Sequence, residues 1–123
     1  MVRTFLVSIS LIGIAAAIAA SAFGQRAMTV PTLRGTVGPG FTITLKQNGK
    51  LVKTLKAGEY KFVIADKASI HAFSLDGPHG FAKDFTKIPF VGTKTVTLNL
   101  KAGKYKYYCP NHESTMFAHF TAK

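Results

Sequence analysis

The chain has 123 residues, 16 of them basic and 5 acidic, giving a formal charge of +11, with one cysteine and no tryptophan. Such a length holds one domain able to bury a core without covalent staples. A lone cysteine excludes an internal disulfide, and lysines spread through strands and turns rather than along a recognition helix exclude a nucleic-acid partner.

The first residues read as an export signal. Met1-Val2-Arg3 is a short basic start, "FLVSISLIGIAAAIAA" is apolar, and "ASA" at 20–22 offers small residues for cleavage. A secretory signal peptide is therefore expected over 1–22, with the mature protein periplasmic or secreted. The competing reading is an uncleaved membrane anchor, for which the apolar run is a little short. No Arg-Arg pair or nearby cysteine marks the twin-arginine or lipoprotein routes. Loss of Arg3 leaves a charge of about +10, which favours acidic partners and weak association with anionic membranes or cell surfaces. For any one lysine, a solvated face is the simpler explanation.

Residues 23–35 are read as a flexible lead and 36–123 as the folded domain. "FTITLKQ" sets Phe41, Ile43 and Leu45 against Thr42, Thr44 and Lys46, the period of a half-buried strand. Asn48-Gly49 marks a two-residue hairpin turn, after which "KLVKTL" returns. In "EYKFVIAD", Tyr60, Phe62 and Ile64 share a face. "SIHAFSL" reads as a further strand and "DGPHG" as a loop, with a short turn allowed within 79–90. "TKTVTLNL" puts Val96, Leu98 and Leu100 on one side, and "KYKYYC" and "MFAHFTA" close the domain. The expected fold is all-β, a Greek-key sandwich of about seven to eight strands.

"LKAGEYKF" at 55–62 and "LKAGKYKY" at 100–107 repeat one pattern. Its Leu-x-x-Gly-x-Tyr core suits a tyrosine corner, in which a phenol bonds back to nearby backbone as the chain crosses between sheets. Tyr60 and Tyr105 are the candidates.

Cys109 is a free thiol, an intermolecular bridge or a ligand. With Lys104 and Lys106 facing water, strand parity sends Tyr105, Tyr107 and Cys109 inward. His71 shares parity with Phe73 and Leu75, and Met116 with Ala118 and Phe120. His71, Cys109 and Met116 then converge at one end of the core, with His112 free to join from the loop. His79, in a loop, and His119, on the outer face, are left out. Singly, His71 and Met116 would more often be core residues. Together, one thiolate, two imidazoles and a thioether form the soft mixed set expected of a blue copper centre. Zinc would accept the cysteine and histidines but gains little from methionine.

"SIHAFSLDGP", "LKAGKYKYYCPNH" and the following Met116 resemble the cupredoxin superfamily of small type 1 copper proteins, similar to the plastocyanin and amicyanin group. The spacing Cys-x2-His-x3-Met falls within the range of that family. The resemblance implies one copper ion per chain, with His71, Cys109 and His112 as strong ligands and Met116 as the axial one, and single-electron shuttling between larger redox proteins. The chain departs from the usual pattern twice. Ala72 stands where Asn often follows the upstream histidine, and Asn111 where Pro often precedes the loop histidine. The Asn111 amide is thus expected to donate to the Cys109 sulfur beside the Ala72 amide, stabilising the reduced state.

Two functions share these ligands: a monomeric electron carrier docking on an acidic redox protein, and an extracytoplasmic carrier or buffer delivering copper to a cuproenzyme. An enzyme is not expected, because further histidine clusters are absent and four protein ligands leave no open position. A metal-free adhesive or membrane-binding β-domain ranks last.

Overall fold

The computed structural model describes residues 29–123; the expected signal peptide, 1–22, and the first part of the lead lie outside the described residues. Ten strands form two five-stranded sheets. They are β1 (Thr32–Val37), β2 (Ile43–Gln47), β3 (Lys50–Leu51), β4 (Thr54–Leu55), β5 (Gly58–Asp66), β6 (Ser74–Asp76), β7 (Ala82–Asp84), β8 (Gly92–Leu100), β9 (Gly103–Tyr108) and β10 (Phe117–Ala122). One sheet runs β3-β2-β1-β5-β8 and the other β4-β10-β9-β6-β7. Pairing is antiparallel except between β1 and β5 and between β10 and β4.

Alternation places the core. Tyr60, Phe62 and Ile64 of β5 are buried, as are Tyr105 and Tyr107 of β9, and Leu100 of β8 is buried with Val96 and Leu98 packed beside it. Phe73 stacks on Tyr107 at 5.6 Å and Tyr105 on Phe120 at 4.9 Å, both pairs nearly parallel. The Asn48-Gly49 turn joins β2 to β3, with both residues at positive φ (49° and 79°), as a two-residue hairpin requires.

The strand count exceeds the seven or eight expected, because three segments read differently in three dimensions. The stretch 50–55 switches sheets: β3 pairs with β2, β4 pairs with β10, and Val52 between them is buried. Ala82–Asp84 adds an edge strand to β6 within a segment read as loop and turn. The third is β1, which takes in residues 32–35 assigned to the flexible lead and lies in the middle of its sheet. Leu33 and Val37 are fully buried, and Gly35 lies so close to Ile64 and Phe73 that a Cβ would stand 2.9 Å from Phe73 Cε2.

Two further expectations change. "SIHAFSL" is strand only from Ser74; His71 to Phe73 are irregular, and residues 71–75 are buried without alternation. Phe41, read as a core position of β2, precedes that strand and is 62% exposed.

Both tyrosine corners form. Tyr60 donates its hydroxyl to the Lys56 carbonyl at 2.6 Å, and Tyr105 to the Lys101 carbonyl at 2.7 Å. Gly58 and Gly103 share φ 147°, a conformation that a side chain would strain. Tyr105→Phe removes one such bond from a buried phenol and is expected to cost about 1 kcal/mol. Chemical denaturation checks this; an unchanged midpoint would assign the corner to packing alone.

Candidate metal centre

The last rungs of the β9–β10 ladder build the site. Phe117 pairs with Tyr108 in register, and the Cys109 amide then donates to the Met116 carbonyl at 3.0 Å. Cys109 and Met116 thus form the next rung, both buried at the end of the core. Between them the chain makes a 3-10 turn, Pro110–His112, with the His112 amide donating to the Cys109 carbonyl at 3.0 Å and the Met116 amide to the His112 carbonyl at 2.8 Å. This loop brings His112 back over the strand end, half-buried. His71 arrives from the other side on the segment before β6, its amide donating to the Ala68 carbonyl at 3.1 Å.

The structure brings His71, Cys109 and His112 together. Their Nδ1 and Sγ atoms form a triangle: 3.2 Å between the two nitrogens, 3.6 Å from Sγ to His112 and 3.9 Å from Sγ to His71. Its centre lies about 2.1 Å from each corner, a bond length for a metal with nitrogen and slightly short for sulfur. The three groups therefore fit a metal ion without moving. Met116, buried on the rung beside Cys109, places a thioether residue at the same end. Among the described residues no other such group of histidine, cysteine and carboxylate ligands occurs.

His79, at positive φ in the 3-10 turn Pro78–Gly80, and His119, on β10, are exposed and outside the group. The Ala72 amide donates to Cys109 Sγ at 3.5 Å. Asn111 makes no such bond: its residue lies inside the tight 3-10 turn, exposed, and the Ala72 amide is the one backbone donor to the sulfur among the described residues.

Sequence reading missed Phe41. Its ring meets both imidazoles edge-on, 5.2 Å from His71 and 5.0 Å from His112, while the imidazoles lie 4.9 Å apart. An exposed phenylalanine thus roofs the pair. The signal was the "GPGF" turn before β2, which carries Phe41 beyond the strand instead of into it.

Tyr108, next to Cys109, donates to Asp76 Oδ1 at 3.2 Å. Burial, then the Asp76 charge, pushes its pKa up to about 12. Burial also raises Tyr105 and Tyr107, partly opposed by backbone hydrogen bonds at Lys101 and Leu45. Tyrosine in the unfolded chain ionises near pH ~10, so the folded protein favours the neutral phenols. Their contribution is complete below that pH and is lost as pH rises from about 10 through about 12. Stability measured across this window is expected to fall, and to fall less in Tyr108→Phe.

No protein-family model and no curated protein matches the chain. Solved structures do. Rusticyanin, a copper protein, aligns over 75% of this chain and 76% of its own, with TM-score 0.54 and 18% identity. Its reduced form aligns over 75% and 78%, with TM-score 0.53 and 23% identity. Auracyanin A, a "blue" copper protein from the photosynthetic bacterium Chloroflexus aurantiacus, aligns over 77% of this chain and all of its own, with TM-score 0.53 and 15% identity. At these identities the likeness is one of architecture: the chain has the cupredoxin fold.

Proposed function

We propose that this protein binds one copper ion through His71, His112 and Cys109, with Met116 as weak axial ligand, and shuttles single electrons between redox partners outside the cytoplasm. The triangle of Nδ1, Nδ1 and Sγ atoms carries the reading, and the copper proteins that share the fold support it. Copper supplies a one-electron couple, and a thiolate with a thioether favours its reduced state while imidazoles support the oxidised one.

The chain's own residues supply the rest. The ladder rung at Cys109–Met116 and the 3-10 turn fix two ligand backbones, and the Ala72 amide takes up part of the thiolate charge, which raises a reduction potential. His71 is fully buried and His112 half-buried, so His112 is the ligand nearest to solvent. Phe41 stands over it, and Ile70 (52% exposed) adjoins His71 in sequence. Ile88 shares a shallow pocket with Ala72, Pro110 and Asn111. An apolar rim at the metal end, on a strongly basic protein, suits brief docking of an acidic redox partner, with association that weakens as salt rises. Delivery of copper to a cuproenzyme is the second use of the same ligands. The buried His71 and Cys109 favour retention over release.

Adding Cu(II) to the purified protein is expected to produce an intense visible thiolate-to-copper band that Cys109→Ser abolishes and Met116→Leu retains. A colourless wild-type product would overturn the reading. Phe41→Ala removes aromatic contacts worth about 0.5–1.5 kcal/mol. It is expected to release copper a few-fold faster and to lower the melting temperature of the metal-free protein modestly, since the same contacts brace both imidazoles there, as stopped-flow chelation and calorimetry would record.

A further inference from the structure

Among the described residues, two buried side-chain polar atoms have no hydrogen-bond partner: Asp66 Oδ2 and His71 Nε2. Asp66 is 2% exposed and His71 fully buried. Both belong to one turn. Asp66 ends β5 with the inward parity of Phe62 and Ile64, and its Oδ1 accepts the Ala68 amide at 3.2 Å. Ala68 in turn accepts the His71 amide. One carboxylate oxygen is thus used by the turn and the other is left over.

The imidazole is oriented so that its two edges face different surroundings. Nδ1 looks toward Cys109 and His112. On the opposite edge, Cδ2 faces Gly38 and Ala68: a Cβ on Gly38 would be 3.1 Å from both Ala68 Cβ and His71 Cδ2. That corner is also where Asp66 sits. Val37, next to Gly38, is the register partner of Asp66, and its carbonyl accepts the Lys67 amide at 2.9 Å. A buried acceptor and a buried ring nitrogen thus stand at the two ends of the turn 66–71, each without a partner.

The chemistry of the two atoms is complementary. Nδ1 can bind a metal only with its lone pair free, so the ring proton must sit on Nε2, which then needs an acceptor. A buried carboxylate oxygen needs a donor, since leaving either group unpaired carries a large desolvation cost. We propose that Asp66 is a positioning residue for His71, accepting the Nε2–H through one enclosed water and so holding the ring's tautomer and rotation. Metal-binding histidines commonly have such an outer partner, and buried waters typically bridge two to four otherwise unsatisfied polar groups. Ala72, which follows His71, has no polar side chain that could share this role.

The metal consequence rests on the copper reading; the tautomer does not, so the two fail separately. Long-range proton–nitrogen NMR of the metal-free full chain at pH 8 is expected to show His71 wholly as the Nε2–H tautomer. In Asp66→Leu an Nδ1–H population appears, with exposed His119 unchanged as control. Copper release from Asp66→Leu is expected to quicken at least tenfold, in line with the usual 10–100-fold cost of losing such a partner, and Asp66→Asn, which keeps an acceptor, to stay within a few-fold of wild type. A purely turn-capping Asp66 would lower the melting temperature of Asp66→Leu without moving the His71 nitrogen shifts, and that result overturns the proposal. Should Asp66→Leu fail to fold, Asp66→Asn decides: its weaker acceptor moves the His71 Nε2–H resonance upfield, and an unmoved resonance overturns the assignment. A wild-type protein that binds no copper, with the tautomer effect intact, sinks the copper reading and leaves Asp66 assigned to His71.

Discussion

Two imidazoles and a cysteine sulfur lie within 4 Å of one another, and their backbones must be held there from different directions. The sandwich meets this demand at one end. Cys109 is fixed as the last rung of β9 against Met116, His112 by a 3-10 turn that hydrogen-bonds back to Cys109, and His71 by a turn that leaves β5 and re-enters the other sheet. The ligand positions follow from strand ends that the core already fixes.

The core fixes where those strands end. β5 pairs with β8 along its whole length and with β1 on its other side. The two tyrosine corners tie the start of β5 and the start of β9 to the turns before them. The stretch that becomes β3 and then β4 crosses from one sheet to the other, joining their edges. The loop 110–115 is thus anchored at both ends on paired strands.

Much of this is legible in local pattern. Alternation in "EYKFVIAD", "TKTVTLNL" and "KYKYYC" reports inward faces because each of those strands has one solvated side. Asn48-Gly49 and the repeated Leu-x-x-Gly-x-Tyr carry their own backbone demands and read correctly from residues alone. β1 reads poorly, since "TLRGTV" mixes Arg34 and Gly35 into a short run; its burial comes from lying between β2 and β5. His71 points inward as parity suggests, yet not as part of a strand, since residues 71–75 are all buried where the chain passes under the loops.

The sequence by itself determined the chemistry of the candidate site: one cysteine, its neighbouring histidine and methionine at fixed spacing, and an upstream histidine flanked by apolar residues. Spacing within a strand or turn sets which way a side chain points, so these could be read without a structure. Only tertiary structure decided that Phe41 roofs the two imidazoles instead of filling the core and that β1 lies buried between β2 and β5. Those are distances between segments far apart in the chain, and they depend on strand register and on where the chain changes sheets, neither of which local periodicity encodes.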